Sequence, residues 1–198
     1  MEPIMSLKVF YSALAIALTF IAYLPYIRSI HDGRTKPHVF SWIIWGVTTL
    51  VVGVAQWVDN GGAGSWPIVI SGLLTLYVAV LAFTKRGDFS VSRSDWVYFW
   101  LAMSSLPLWY LTADPLIAVI ILTVVEIFGF MPSFRKAYLL PHEERLSFFM
   151  ILAIRNGISL LALEHYSLVT ILFPLVSGGL CVAFFALVVM RRRELSMP

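Results

Sequence analysis

Two side chains carry the sharpest chemistry in this sequence: Glu126 and Arg155. Each interrupts an otherwise apolar run. With Phe134 and Ser147 taken as the inner ends of their helices, each lies eight residues in, about 12 Å at 1.5 Å per residue. A charge at that depth in hydrocarbon is costly, so it faces a bundle interior or a water-filled cavity and marks a pair, a substrate path or a proton path. Opposite signs at equal depth on consecutive antiparallel helices suggest a pair. Two uses follow. The pair is a static strut, or it opens. A carboxyl group left dry and without its countercharge takes up a proton, which would couple the protein to a proton gradient. Arg155 would attract a carboxylate, and Glu126 an ammonium group or a proton.

Other polar residues lie within the spans, Gln56 near its outer end and the Ser-Gly pairs nearer the outer end than the middle. Asn156 follows Arg155 and both donates and accepts, which suits hydroxyl or carboxyl ligands. It would equally serve as a hydrogen bond to a neighbouring helix, as would Gln56. Ser71-Gly72 and Ser177-Gly178 are either solute contacts or small residues that bring helices close. Trp45 is a candidate stacking platform. Pro25 and Pro132 each remove a backbone hydrogen bond and would kink a helix, or simply end it. No cysteine or histidine cluster has metal-ligand spacing, no glycine loop suits a phosphate, and no span centre holds a lysine. No nucleophile–base pair has useful spacing either. Neither a cofactor nor an enzymatic activity is expected.

The elements that must position these residues are set by composition. Of 198 residues, 60% are hydrophobic and 13% charged, and the mean hydropathy is +0.86. Ordinary soluble domains carry about 25% charged residues. A soluble fold could not cover itself with so few charges, and a nucleic-acid-binding or disordered chain is excluded on the same ground. The single cysteine, Cys181, allows no internal disulfide.

Seven segments are long and apolar enough to be read as membrane-spanning helices: 7–27, 40–58, 66–84, 96–113, 115–134, 147–163 and 168–190. Residues 139–146 are too short and too charged to span and are expected to form a loop. The first run is too long for a signal peptide's apolar core and ends in Pro25-Tyr26-Ile27-Arg28, so it is read as retained. Twelve of the fourteen Lys and Arg residues fall in the first, third and fifth loops and the tail Arg191-Arg192-Arg193. Lys8 alone lies opposite, and Arg155 is inside a span. The positive-inside rule then places the N-terminus outside and the C-terminus in the cytoplasm. Trp57, Trp66 and Trp109 near outer ends, and Trp42 and Trp96 near inner ends, read as interfacial anchors.

The halves repeat. Tyr23-Leu24-Pro25 answers Phe130-Met131-Pro132, and Arg28 answers Arg135, at an offset of 107. Ser41 answers Ser147, and Ser71-Gly72 answers Ser177-Gly178, at 106. Thr19 stands where the second half has Glu126. The division is therefore a first three-helix unit (1–87), a connecting helix (88–113) and a second unit with a basic tail (114–198). An odd connector makes the units parallel. Transporters so built hold solute near the midplane between the halves.

The proline-bearing segments Leu24-Pro25-Tyr26-Ile27-Arg28 and Met131-Pro132-Ser133-Phe134-Arg135, with Gly33-Arg34-Thr35-Lys36-Pro37 and Ser41-Trp42, resemble the PQ-loop/SWEET superfamily of seven-helix transporters. The glutamine that follows the proline in that family is Tyr26 in one unit and Ser133 in the other. The resemblance implies an all-α integral membrane fold of seven transmembrane helices in a 3-1-3 arrangement, N-out and C-in. It also implies that Pro25 and Pro132 are hinges, and that the third and seventh helices offer a polar residue each (Ser71 and Ser177) to the solute. The function expected is transport of a small polar solute, a sugar or an amino or organic acid, by alternating access. The alternative is a non-transporting receptor or assembly protein of the same architecture. Partners expected are that solute, possible coupling protons and the lipid bilayer. A homo-oligomer is not required.

Overall fold

The computed structural model describes residues 2–33, 37, 39–85, 93–139, 141–143 and 146–196. Arg34, Thr35, Lys36, His38, Arg86 and Arg145 lie outside the described residues, as do the side chains of Pro132, Ser133, Arg135 and Lys136. Among the described residues the chain is helical throughout its regular structure. Seven α-helices run α1 (Glu2–His31), α2 (Val39–Val58), α3 (Trp66–Thr84), α4 (Arg93–Thr112), α5 (Pro115–Leu139), α6 (Leu146–Ala162) and α7 (Leu168–Ser196). Short 3-10 turns cover Gly62–Ser65 and Pro141–Glu143.

Among the described residues four helical segments are long and apolar enough to cross a membrane: Met5–His31, Val39–Val58, Gly62–Thr84 and Leu168–Leu195. The apolar stretches Pro115–Met131 and Leu146–Ala162 are shorter. The residues expected to form the remaining span, 96–113, lie within α4 except Ala113, which follows it.

Local sequence explains the helix ends. Asp114 caps α5, its Oδ1 accepting from the Leu116 amide at 2.8 Å, while Pro115 occupies the first helical position, where no amide hydrogen is needed. Ser167 caps α7: its Oγ accepts from the Thr170 amide at 3.2 Å, and Thr170 Oγ1 accepts from the Ser167 amide at 3.0 Å, a reciprocal capping box. Ala113, with φ 53°, makes the left-handed step that separates α4 from α5. Gly62 (φ 59°) makes another, and a side chain there would also run into the Glu164 carboxylate.

Helices α1, α5 and α7 overrun the apolar segments, because their polar ends remain helical. Pro25 and Pro132 therefore lie inside α1 and α5 rather than ending them. Pro107 and Pro174 are likewise interior to α4 and α7.

Packing is layered around two central helices. α3 lies against both α1 and α2, and α7 against both α5 and α6. Between these groups, α1 packs on α6 and α2 on α5, while α4 lies along α5 and touches α2. The exterior is apolar. On α3, Leu73, Tyr77, Val80 and Phe83 form an exposed stripe at helical spacing, while Ser71, Thr75, Val78 and Ala82 are buried on the other side. The buried set includes Thr19, Thr48, Gln56, Thr123, Glu126, Arg155, Asn156 and Ser159. Apolar side chains outside and polar ones inside invert the soluble pattern and are consistent with a multi-pass membrane protein.

Small residues set the close approaches. A Cβ on Gly72 of α3 would stand 2.8 Å from the Leu50 amide nitrogen of α2, and one on Gly53 of α2 would stand 2.9 Å from the Val69 nitrogen of α3. A Cβ on Gly178 of α7 would meet the Asn156 Cβ at 3.1 Å.

Trp42 corrects the expectation of an interfacial anchor. It is buried, its ring stacked on Tyr26 at 5.0 Å and edge-on to Tyr23 at 6.4 Å. Its neighbours on α1 give the indole more apolar contact than the membrane surface would. Trp57 and Trp66 are about half exposed and pair with each other at 4.9 Å, as anchors would.

Candidate functional site

Arg155 sits midway along α6, 4% exposed. Its two terminal nitrogens are held: Nη1 donates to Asn156 Oδ1 at 2.7 Å, and Nη2 donates to Ser71 Oγ of α3 at 2.5 Å. The Nε–H is buried and has no partner among the described residues. Ser71 belongs to a short polar ladder. Tyr23 OH of α1 lies 3.4 Å from Ser71 Oγ and 2.8 Å from Thr75 Oγ1, and Thr75 Oγ1 donates back to the Ser71 carbonyl at 2.8 Å. Asn156 and Ser71 thus hold the guanidinium directly, and Tyr23 of α1 and Thr75 of α3 stand behind Ser71. The backbone follows the same order, with Ser159 Oγ donating to the Arg155 carbonyl at 2.9 Å.

Glu126 of α5 is 8% exposed and accepts from Ser177 Oγ of α7 at 3.2 Å. The expected Glu126–Arg155 contact is not formed. No ion pair within 4.0 Å joins them, because each is already held by a serine on the central helix of a three-helix group. They remain within Coulombic reach of each other, and Cys181 of α7, 1% exposed, is within reach of both. Thr19, in the position that answers Glu126, is fully buried and spends its hydroxyl on the Ala15 carbonyl at 2.9 Å. The charge is therefore confined to one half.

The structure brings Arg155, Asn156 and Ser71 into direct contact, and Glu126 and Ser177 into a second contact beside them. Trp45 is in neither contact but packs with the aromatic cluster beside Tyr23, its ring edge-on to Trp42 at 5.9 Å. It is partly buried where α2 meets α5, its indole filling the space left by Gly129 at 2.7 Å from where a Cβ would be. Pro25 is exposed on α1, two residues from Tyr23. Tyr23 and Thr75 were not among the residues singled out by type. Thr75 was findable, because it lies one turn from Ser71 on the same helix face. Tyr23 was hidden, because a tyrosine near a helix end reads as an interfacial ring.

Both ends of this region are covered. Toward the α1–α2 connection, Tyr23 and Tyr26 of α1, Trp42 of α2 and Phe148 of α6 form an aromatic cluster. Its rings include Tyr23–Phe148 at 5.9 Å and Tyr26–Phe148 at 6.1 Å. At the opposite end the α2–α3 and α6–α7 connections are laced together by polar contacts. Glu164 donates its amide to the Gly61 carbonyl at 3.1 Å and accepts from the Ala63 amide at 2.9 Å. Ser167 Oγ donates to Asp59 Oδ2, and His165 Nδ1 lies 3.5 Å from the same carboxylate. Beneath them Gln56 Nε2 donates to the Thr170 carbonyl at 2.7 Å, and its Oε1 is buried without a partner among the described residues.

Among the described residues no group of three or more His, Cys, Asp or Glu side chains could hold a metal ion. No protein-family description, curated protein or solved structure matches this chain.

Proposed function

We propose that the chain is a seven-span carrier for a small polar solute, working by alternating access between two parallel three-helix units, α1–α3 and α5–α7, joined by α4. The reading is that of the PQ-loop/SWEET-like architecture, with the N-terminus outside and the basic connections in the cytoplasm.

The repeat is supported by packing at a constant offset. Gly72 receives Leu50, and 106 residues on, Gly178 receives Asn156. The central helix of each group is the third, and the contacts between groups, α1 on α6 and α2 on α5, exchange with each other under the repeat.

The observation that carries the function is the buried Arg155–Ser71 bond. It runs from one unit to the other, from the middle of α6 to the second turn of α3, between an aromatic seal and a polar latch. A scaffold has little use for an arginine with an unsatisfied buried N–H, which costs about 1–3 kcal/mol. A carrier has use for it, since a buried charge between two bodies favours a state in which a solute or water meets it. In this reading the aromatic cluster closes the cytoplasmic side, the Asp59–Ser167 latch closes the outer side, and the two open in turn. Pro25 and Pro132 supply the compliance of α1 and α5.

The test is uptake into proteoliposomes of sugars, amino acids and organic acids, with and without an imposed pH gradient, for the wild type and Glu126→Gln. Flux is expected from at least one class. If Glu126 carries a coupling proton, Glu126→Gln removes the dependence on the gradient. Flux that ignores the gradient and survives the substitution makes the protein a facilitator and Glu126 a structural partner of Ser177. Binding without flux for every solute overturns the carrier reading in favour of a receptor.

A further inference from the structure

The buried edge of Arg155 says what kind of solute the site takes. Two of its terminal N–H groups are spent, one on Asn156 and one on Ser71, and these bonds fix the plane of the guanidinium. The Nε–H, in a side chain 96% buried (4% exposed), is left without an acceptor. A guanidinium fixed in this way presents an edge, the Nε–H beside the second N–H that Nη2 carries, whose geometry receives a carboxylate in two parallel hydrogen bonds. A sugar hydroxyl would satisfy the N–H but leave the charge uncompensated in a dry interior.

Charge balance narrows the class. Among the described residues the region holds one fixed cation, Arg155, and one acid, Glu126, within Coulombic reach but not in contact. Glu126 has one of its acceptor positions occupied, by Ser177 Oγ at 3.2 Å. A carboxylate has room for about four such bonds, so it can still accept from an ammonium group. A zwitterion between the two groups pairs both charges and leaves the net charge of the interior unchanged. A simple monoanion would add a negative charge, and a sugar would pair neither.

We propose that Arg155, oriented by Asn156 and Ser71, recognises the carboxylate of a small zwitterion of the amino-acid class, with Glu126 and Ser177 receiving its ammonium group. This rests on the carrier reading only for the solute's passage, since the binding site stands or falls separately.

The experiment measures binding and flux on the same preparation. Purified protein is challenged first with the pooled common amino acids, then with the effective one alone. Its carboxamide analogue, its amine lacking the carboxylate and glucose are compared, with thermal stabilisation and competition as readouts. Expected is binding of the amino acid, with the carboxamide at least roughly tenfold weaker, as loss of a charge-assisted pair implies. Arg155→Lys, which keeps the charge but loses the fork, is expected to weaken the amino acid by about tenfold and to leave glucose unaffected. No binding by any amino acid overturns the proposal, as does a carboxamide that binds as well as its parent. These wild-type comparisons hold even if Arg155→Lys fails to fold. Binding with this discrimination but without flux leaves the site assigned and removes the carrier. Flux of a sugar, with no amino acid bound, removes the site assignment and leaves the carrier.

Discussion

Arg155→Ala is expected to reduce solute uptake to the level of empty vesicles. The truncation removes the donor to Ser71 and Asn156 and leaves Glu126 without the positive charge nearest it in the interior. Truncating one member of a buried, hydrogen-bonded charged set costs roughly 2–5 kcal/mol. At about 1.4 kcal/mol per decade, that is a loss of roughly 30-fold to more than 1,000-fold in affinity. The fold should survive better than the function. Ser71 keeps Tyr23 within hydrogen-bond reach at 3.4 Å, and Asn156 keeps its seat against Gly178. Monodispersity in detergent, measured beside uptake, separates the two effects. Uptake at the wild-type rate from a well-folded Arg155→Ala protein would show that the guanidinium is not on the solute's route.

Gly72→Val is expected to have the largest effect on folding. The glycine hydrogen points at the backbone of α2, where a Cβ would stand 2.8 Å from Leu50 N and 2.9 Å from Leu50 Cα. Backbone cannot move aside as a flexible side chain can, so α2 and α3 must separate. Overpacking of this kind costs about 1–3 kcal/mol or more. It also displaces Ser71, the next residue, from Arg155. An unfolding midpoint in detergent lower by roughly 5–10 °C is expected, from about 2–4 °C per kcal/mol for a chain this size. Gly157→Ala on α6 is the contrasting case. Its Cβ meets nothing within 4 Å, so the midpoint should hold or rise, because alanine favours a helix over glycine. Equal effects at the two glycines would mean that α2 and α3 are not in close contact.

These two sites mark how far the sequence was legible. Glu126 and Arg155 stood out because a charge inside an apolar run has no bland explanation in hydrocarbon. Their partners did not stand out. Equal depth on consecutive helices suggested that they face each other, but α7 lies between α5 and α6, so Ser177 reaches Glu126 first. Which helix sits centrally in a unit is a property of packing between apolar faces, and periodicity does not encode it. Of the two alternatives offered for the Ser-Gly pairs, close packing is visible: each glycine makes a close approach to a neighbouring helix, while the serine beside it bonds Arg155 or Glu126. Trp42 was misread because hydropathy and position near a helix end are the same for an interfacial ring and for one packed under α1. The helix ends of α1, α5 and α7 were set short because hydropathy tracks the apolar run, while a helix continues as long as its residues favour it.

The most direct test of the two-body account is a reversible tether across the polar latch. Asp59 and Ser167, whose side chains touch between the two units, are replaced by Asp59→Cys and Ser167→Cys in a Cys181→Ala background. Uptake into proteoliposomes is then measured reduced, oxidised or bridged by a short thiol cross-linker, and reduced again. The account predicts flux in the reduced protein, arrest when the latch is locked, and recovery on reduction. A fully cross-linked protein that carries solute at the reduced rate would contradict it.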